Sequence, residues 1–391
     1  MATVRKRGLS ELQQHVQIDL DSWKDIKLNI AIVGQSGSGK SALINTMLGL
    51  TAEDAAGAAC GVIETTEKVK MYCHPERLNL VLWDLPGVDT PNFTKEQYWK
   101  NVEKNVADFD FFIIVSSGSF KDSDIWFAKD IQEKEKKFFF VRTQVDLDII
   151  KDKLAYPNTY KDRNVQVTVK NNILNQLKKG NVEHSGENIF LVNNFDTSAF
   201  DFQNMMNVLI KQAPTLKRDA FIMSLAAETQ VVIDEKLKVL ENRILKIALL
   251  GSLSSAIPIP GTGLAVELGI LHREAKIYRE QLGIDEDSLI KMSKRMGMDV
   301  SKFKDKMQMK HQLMSATELL KVMSYLAPSK GVATVANFTV PIVGCIAAGM
   351  ISFPVCYYTL KHVLNTCKTE ASNAKKLIGD WLCANTNPDI M

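Results

Sequence analysis

The segment with the clearest chemical potential is Gly34-Gln-Ser-Gly-Ser-Gly-Lys-Ser41, which fits the phosphate-loop pattern GxxxxGK[ST]. Apolar residues 27–33 before it predict a buried strand, and residues 41–48 after it predict a helix. Backbone N–H groups at such a helix N-terminus can surround phosphate oxygens. The predicted phosphate-binding residues are Gly34, Gln35, Ser36, Gly37, Ser38, Gly39, Lys40 and Ser41. Lys40 would neutralise the β- and γ-phosphates, and Ser41 would bind Mg²⁺.

A second apolar run, Val81-Leu-Trp-Asp84-Leu-Pro-Gly87, ends in an acid followed by a glycine. At this distance after a phosphate loop, the pattern predicts that Asp84 binds Mg²⁺ directly or through water. It also predicts that the Gly87 N–H lies near the γ-phosphate. Val88 follows, where many GTPases have a glutamine that orients the attacking water, and valine cannot polarise water. We therefore expect slow turnover in the isolated monomer, rising with protein concentration.

The third element is Arg142-Thr-Gln-Val-Asp146, at the end of the predicted strand 138–141. Guanine-specific sites carry [NT]-Lys-x-Asp here, and the aspartate accepts hydrogen bonds from guanine N1–H and the 2-amino group. Adenine lacks that donor pair, so Asp146 disfavours an ATPase. Thr143 fits the pattern, whereas Gln144 replaces the lysine whose stem packs on the base. The sequence predicts guanine specificity with lowered affinity.

Two further segments are interpreted from their positions relative to the motifs above. Asn193 and Asn194 follow the predicted strand 189–192 and could present a backbone amide to guanine O6. Residues 52–70 are rich in alanine and glycine, which suits a mobile switch segment. Either Thr65 or Thr66 could close over the γ-phosphate and Mg²⁺.

The elements that must position these residues alternate between strand and helix up to about residue 214. The predicted strands are 28–33, 78–83, 111–115, 138–141 and 189–192. The predicted architecture is an α/β P-loop G domain with a mostly parallel sheet, followed by an all-α helical domain. An amphipathic helix over 9–26 precedes the first strand, and it would pack on the helical domain because it cannot bury its apolar stripe alone. The predicted domains are 1–26, 27–214 and 215–391.

Bulk properties exclude some classes of function. The 391 residues carry a formal charge of +3, which is too balanced to indicate a nucleic-acid binder. Six cysteines show no CxxC spacing, which argues for reduced thiols in the cytosol and against a zinc site. The expected ligands are GTP or GDP with Mg²⁺, and no nucleic acid.

These motifs together resemble those of the immunity-related GTPases, which are interferon-inducible and dynamin-like. The resemblance rests on Gly34–Ser41, Gly61-Val-Ile-Glu-Thr-Thr66, Asp84–Val88 and Arg142–Asp146, and it covers nearly the whole chain. It implies GTP hydrolysis coupled to self-assembly through facing G domains, in cell-autonomous innate defence. It also implies that Glu64 assists catalysis in the dimer and that Thr66 closes on Mg²⁺.

The resemblance further implies partners and a location. The expected partners are further copies of this chain, related GTPases and an intracellular membrane surface. The expected location is cytoplasmic, with peripheral attachment to endoplasmic reticulum, Golgi or pathogen vacuole. A GTP-binding regulatory scaffold with negligible hydrolysis remains the alternative, favoured by Val88 and Gln144.

One long apolar segment, 331–360, contains no charged residue and exceeds the roughly 20 residues that span a bilayer as a helix. Its prolines, Pro341 and Pro354, and its scattered polar residues favour a buried pair of helices. A membrane-inserting segment is the other interpretation.

Overall fold

The computed structural model describes residues 18, 20, 22–60, 69–88, 93–102, 104–118, 121–183, 186–255, 262–309, 319–323 and 341–385. These residues form two compact units. The nucleotide unit comprises Trp23–Val232, and the helical unit combines the described residues up to Ser22 with those from Ile233 onward. The units divide near residues 22 and 232, and the domain boundaries that we placed at 26 and 214 remain predictions.

The nucleotide unit is built around a six-stranded sheet with the order β2-β3-β1-β4-β5-β6. β2 and β3 are antiparallel, and each other neighbouring pair is parallel. The strands are β1 (Leu28–Val33), β2 (Lys70–His74), β3 (Arg77–Asp84), β4 (Phe111–Ser116), β5 (Phe138–Arg142) and β6 (Ile189–Leu191). All five predicted strands form, with ends within one or two residues of the predictions.

Helices follow most of the parallel strands in this unit. They are α1 (Lys40–Leu48), α2 (Tyr98–Val102), α3 (Asp122–Glu133), α4 (Val145–Ala155), α5 (Asp162–Lys179), α6 (Phe202–Gln212) and α7 (Arg218–Ser224). All six residues of β4 are buried, as are five of the six in β1, because these strands lie in the interior of the sheet. The carboxyl ends of parallel strands meet at one edge of a sheet, and ligands of such folds bind outside that edge.

β2 is the strand that the sequence analysis missed. It is an edge strand of five residues, Lys-Met-Tyr-Cys-His, and none of them is buried. An exposed antiparallel edge strand lacks the continuous apolar run that marked the other strands. Its pairing with β3 also shifts register between Tyr72 and His74.

The helical unit contains only helices among its described regular elements. They are α8 (Gln230–Ser255, which begins in the nucleotide unit), α9 (Thr262–Gln281), α10 (Glu286–Arg295), α11 (Val300–Lys306) and α12 (Pro341–Asn385), with a short helical segment at 319–323. α7 and α8 are separate helices, because the chain leaves the first of them at Leu225. Buried Thr229 then accepts a hydrogen bond from the Val232 N–H at 3.2 Å, as a helix-starting residue does.

Buried charged side chains of the helical unit pair with one another. The Arg243 guanidinium donates to both carboxylate oxygens of Glu274, at 2.8 and 2.9 Å, and also to the Leu20 carbonyl. Arg279 donates to the Glu370 carboxylate at 3.1 Å. Such pairs link α8 to α9 and α9 to α12, and each must offset the cost of removing two charges from water.

Two predicted segments fall partly outside the described residues. Of the helix predicted over 9–26, residues 18 and 20 are helical, and a 3₁₀ turn follows at Ser22–Lys24. Of the apolar segment, 331–340 lies outside, and 341–360 forms the first part of α12. Among the helices that the structure describes, we find none with a stretch long and apolar enough to cross a bilayer.

Candidate nucleotide-binding site

The loop between β1 and α1 has the backbone geometry of a phosphate cradle. Gly34 has φ 151°, and a Cβ added there would lie 2.1 Å from the Val115 carbonyl oxygen, so no side chain fits. Gly39 has φ 87° and precedes α1, whose first residue is Lys40. Only glycine adopts these backbone conformations without strain. The predicted order of strand, glycine-rich loop and helix is confirmed, whereas phosphate binding by the loop stays a prediction.

Lys40 is buried, and its ammonium donates to the carbonyl oxygens of Gly34 and Gln35 at 2.9 and 3.0 Å. The positive charge of Lys40 is therefore held against the backbone of its own loop. The Ser38 hydroxyl oxygen is also buried, and it has no hydrogen-bond partner among the described residues. A buried polar atom without a partner costs free energy, and a ligand oxygen would relieve that cost.

Asp84 is buried at the end of β3, where it pairs in register with Ile32 of β1. The following residues reach the phosphate loop, because a Cβ added at Gly87 would lie 3.5 Å from the Gly34 carbonyl oxygen. The Tyr98 hydroxyl supports this segment from behind by donating to the Pro86 carbonyl at 2.8 Å. Burial, and then the charge of Asp84, raise the pKa of Tyr98 well above its usual value, so the phenol remains a donor.

Val88 is buried in the hydrophobic core beside the sheet. The side chain that follows the DxxG glycine therefore packs into the protein. This placement agrees with its chemistry, since an isopropyl group cannot orient water.

The predicted base-recognition segment is tied to the phosphate loop. The buried Thr143 hydroxyl donates to the Ser38 carbonyl at 2.6 Å, and the Gln144 amide donates to the Gly37 carbonyl at 3.1 Å. Gln144 has φ 57° and precedes α4, which places Asp146 in the first turn of that helix. Gln144 thus occupies the lysine position of the motif and bonds the phosphate loop through a neutral group.

The sequence analysis overlooked the support behind this segment. The Arg142 guanidinium donates to the Thr143 carbonyl at 2.7 Å and pairs with the Asp148 carboxylate. Burial of Arg142 lowers its pKa, and the charge of Asp148 opposes that shift. The pair joins the end of β5 to the first turn of α4, on either side of Asp146.

The loop after β6 is anchored to the same place. The Asn194 amide donates to the Gly39 carbonyl at 3.0 Å, and the Thr46 hydroxyl donates to the Asn194 carbonyl at 2.7 Å. The Asn194 side-chain oxygen is buried without a hydrogen-bond partner among the described residues. The fold thus brings Asn193 and Asn194 next to the phosphate loop, as their order in the chain indicated.

These segments enclose a pocket of about 320 Å³ at the carboxyl edge of the sheet. Predicted site residues form most of its lining: Ser36, Gly37, Gly39, Lys40, Ser41, Gln144, Asp146, Asn193 and Asn194. The sequence analysis missed four others: Ala42, Cys60, Leu147 and Phe195. Gly34, Gln35, Ser38 and Thr143 shape the loop behind the lining, and Asp84 and Gly87 are not lining residues.

A small polar cluster lies beside the phosphate loop. Gln35 donates to the Ser123 hydroxyl at 2.9 Å and accepts from the Lys121 ammonium. Asp124 is buried in the first turn of α3 and accepts from the Lys121 N–H at 3.1 Å. Burial raises the pKa of Asp124 to about 6, although its bonds to Lys121 oppose the shift.

Comparison with known proteins identifies the family. The sequence profile described as Interferon-inducible GTPase (IIGP) matches residues 1–378. The chain belongs to the interferon-inducible GTPase family. It is therefore a GTPase, which binds and hydrolyses guanine nucleotide, and the family places that activity in immunity.

Individual members of the interferon-inducible GTPases are similar over most of their length. Interferon-gamma-inducible GTPase 10 of Mus musculus is 31% identical over 92% of this chain and 84% of its own. Interferon-inducible GTPase 5 of Bos taurus is 30% identical over 93% and 78%. Interferon-inducible GTPase 1 of Mus musculus is 35% identical over 72% and 68%.

Among solved structures, Aquifex aeolicus Era bound to GDP and AlF4⁻ aligns with a TM-score of 0.34 and 15% identity. The alignment covers 58% of this chain and 68% of that one.

Two predicted residues of this GTPase, Glu64 and Thr66, lie in 61–68, outside the described residues. Across the described ranges, no cluster of three or more His, Cys, Asp and Glu side chains could hold a metal ion. Mg²⁺ needs no such cluster in nucleotide sites, since it binds one or two protein oxygens plus phosphates and waters. The Ser41 hydroxyl and the Asp84 carboxylate fit that requirement.

Proposed function

We propose that GTP binds in the pocket at the carboxyl edge of the sheet, with its phosphates in the loop Gly34–Ser41. The observation that carries this proposal is the buried Lys40 ammonium, held 2.9 and 3.0 Å from two carbonyls of the loop whose residues line the pocket. An ammonium in this position can neutralise phosphate charge without first having to be ordered. The buried Ser38 hydroxyl supports the same assignment.

The guanine base is proposed to lie against Asp146, Asn193 and Asn194. Asp146 is half-buried in the pocket wall, where its carboxylate can accept both hydrogen bonds from guanine N1–H and the 2-amino group. An adenine base would leave that carboxylate unpaired, which costs affinity. A backbone amide near Asn194 would donate to guanine O6.

Mg²⁺ is proposed to bind through Ser41 and Asp84, with Thr66 joining in the GTP state. The ion would neutralise charge that develops on the phosphate oxygens. Gly87 lies against the start of the phosphate loop, so its N–H is a candidate donor to the γ-phosphate.

Catalysis is proposed to require a second copy of the chain. Val88 is buried and cannot orient water, so the water-orienting group must come from elsewhere. We propose Glu64 for this role in the assembled state. If no such group is supplied, the same observation favours the alternative, a GTP-binding regulatory scaffold with very slow hydrolysis.

Self-assembly is supported by an apolar stripe on α4. Leu147, Ile150 and Leu154 share one face of the helix and are exposed by 44, 47 and 78%. Leu147 also lines the nucleotide pocket, so the stripe begins beside the proposed ligand. An exposed apolar surface next to a nucleotide is suited to contact with another GTPase of the same or a related chain.

We also propose that the assembled protein acts on intracellular membranes, attached peripherally from the cytoplasmic side. Endoplasmic reticulum, Golgi and pathogen vacuole are the proposed membranes. This part of the proposal rests on what the motif resemblance to the immunity-related GTPases implies.

The decisive experiment measures GTP hydrolysis per molecule of protein from nanomolar to tens of micromolar, together with light scattering. Specific activity and scattering should rise together with protein concentration, and Lys40→Ala should abolish both. A specific activity that stays flat across this range would contradict assembly-dependent catalysis.

Single-turnover hydrolysis at tens of micromolar protein separates the enzyme from the scaffold. Complete cleavage of bound GTP within minutes supports the enzyme. GTP that remains intact for hours, with nucleotide binding unaffected, supports the scaffold. Equal competition of ATP and GTP for the site would contradict the role of Asp146.

A further inference from the structure

Phe195 is a large aromatic side chain in an unusual position. Its side chain is 83% exposed, yet it lines the nucleotide pocket. A phenyl ring left in water forgoes the hydrophobic stabilisation that burial gives, so the ring contributes little to the folding of this unit. A flat ligand surface placed against the ring would recover that stabilisation.

The backbone that carries Phe195 is held in place. Its N–H donates to the Asn193 side-chain oxygen at 2.9 Å, which closes a tight local turn. The preceding residue, Asn194, is bonded on both sides, to Gly39 and to Thr46. The attachment point of the ring is therefore fixed relative to the phosphate loop.

Gln144, Asp146 and Leu147 form another wall of the pocket, and none of these three side chains is cationic. Among the described lining residues, Lys40 is the one cationic side chain, and it belongs to the phosphate loop. Gln144 stands at the lysine position and directs its amide to the Gly37 carbonyl. Leu147, one turn along α4, adds a second exposed apolar group near Asp146.

From these observations we infer that Phe195 stacks on the face of the guanine base and supplies much of the base-binding energy. The inference rests on the proposed nucleotide site. In this arrangement Asp146 selects guanine by its hydrogen-bonding edge, whereas Phe195 holds any purine by its face. Stacking on an aromatic side chain is indifferent to base identity, because every base has a π-face.

The test compares Phe195→Ala with the wild-type protein by calorimetric titration of GDP with Mg²⁺. We expect roughly 10- to 100-fold weaker binding of GDP, in the range typical of loss of one stacking contact. IDP, which lacks the 2-amino group, should weaken by the same factor, so the preference for GDP over IDP is unchanged. Phe195→Trp should retain the affinity of the wild type.

Base-free pyrophosphate with Mg²⁺ separates stacking from damage to the loop. Phe195→Ala should bind pyrophosphate as the wild type does, because Lys40 and the loop backbone are untouched. An equal loss for pyrophosphate and GDP would assign Phe195 a merely structural role and overturn the inference. Leu216→Ala removes another highly exposed apolar group from the same unit, outside the pocket lining, and should leave GDP binding unchanged.

Loss of the stacking role and loss of the nucleotide site give different results. A Phe195→Ala variant that binds GDP within twofold of the wild type overturns the stacking role and leaves the site intact. A wild-type protein that binds neither GDP nor pyrophosphate overturns the proposed site itself.

Discussion

The two units of this GTPase differ in how they satisfy some of their buried charges. In the nucleotide unit, buried Lys40 and Asp84 lie near one edge of the sheet, and the Lys40 ammonium bonds backbone carbonyls of its own loop. In the helical unit, buried Arg243 faces Glu274 and buried Arg279 faces Glu370 across neighbouring helices. Opposite charges there satisfy each other within the unit.

The contrast shows that burial of charge does not by itself indicate a binding site. Removing an ion from water is costly in both units. In the helical unit, an ion partner offsets this cost for Arg243 and for Arg279, so these charges stabilise the fold itself. The nucleotide unit pairs buried Arg142 with Asp148 in the same way, but its Lys40 lines a pocket, where a phosphate ligand is proposed to complete the ammonium.

The largest expected effect is on the stability of the helical unit. Glu274→Ala leaves the Arg243 guanidinium buried without its bidentate partner, which should cost about 3–5 kcal/mol in the free energy of unfolding. Urea unfolding followed by helical circular dichroism measures this loss. Nucleotide affinity of the remaining folded protein should stay unchanged.

A pair on the same helix provides the control. Lys276 and Glu280 are 3.7 Å apart on α9, with side chains exposed by 67 and 44%. Glu280→Ala should change the unfolding free energy by less than about 1 kcal/mol, as for other surface pairs. Equal losses for the two variants would remove the distinction between buried and exposed pairing.

The second effect should appear in ligand binding rather than stability. Lys40→Ala removes a desolvated cation that GTP would use, so GDP with Mg²⁺ should bind about 100-fold more weakly or worse. The ligand-free protein should lose little stability, because the desolvation cost of the ammonium disappears with it. Thermal unfolding with and without saturating GDP measures both quantities.

Lys136 is a matched lysine outside the pocket lining. Its ammonium also donates to two carbonyls, those of Ala107 and Phe109, at 3.1 and 2.7 Å. Lys136→Ala should leave GDP binding unaltered. A comparable loss of binding in both lysine variants would indicate a general defect in the unit.

The third effect concerns pH. The pKa of Asp124 is raised to about 6, so between pH 4 and 6 the folded protein binds more protons at this group than the unfolded chain does. Stability from this group is therefore present at low pH and falls as pH rises toward 6, by about 2–3 kcal/mol. Asp124→Asn keeps a capping oxygen. Compared with the wild type at the same pH, the variant should be more stable at pH 7 than at pH 4.5.

Urea titrations at these two pH values test the assignment. Asp108 is an exposed residue in a similar capping position, where it accepts from the Asn105 N–H at 3.1 Å. Asp108→Asn is the control for replacing a capping carboxylate by an amide at an exposed site. A pH-independent effect of Asp124→Asn would show that its burial does not control its protonation.

The smallest effect should come from Gln144→Lys. This substitution restores the cation of the guanine-specific pattern and should tighten GDP binding by about threefold, as for a modest cation–π contact. Gln144→Leu keeps an apolar stem but loses the bond to the Gly37 carbonyl, and should not tighten binding. Weaker binding by the lysine variant would mean that the neutral amide is the better partner here.

The sequence predicted the sheet and most of the pocket lining because both depend on local patterns. Continuous apolar runs marked the five strands that are covered on both faces, and β2 was missed because it is an exposed edge. The phosphate loop could be recognised in the sequence because the backbone conformations at Gly34 and Gly39 require glycine.

Other features depend on contacts between distant residues, which one sequence does not reveal. Nothing local shows that Tyr98 bonds Pro86, or that Arg142 pairs with Asp148. Nothing in the sequence around Phe195 indicates that this residue lines the pocket. Likewise, no periodicity indicated that Arg243 and Glu274 face each other.

The bond between Arg243 and the Leu20 carbonyl has a consequence for synthesis of the chain. The helical unit combines Leu20 with residues from Ile233 onward, so Leu20 leaves the ribosome long before its partner Arg243 on α8 exists. Roughly two hundred residues separate them, which corresponds to about 10–40 s of translation. During that interval the sheet can form on its own, whereas the amino-terminal segment cannot form its contact with α8 until that helix has been translated.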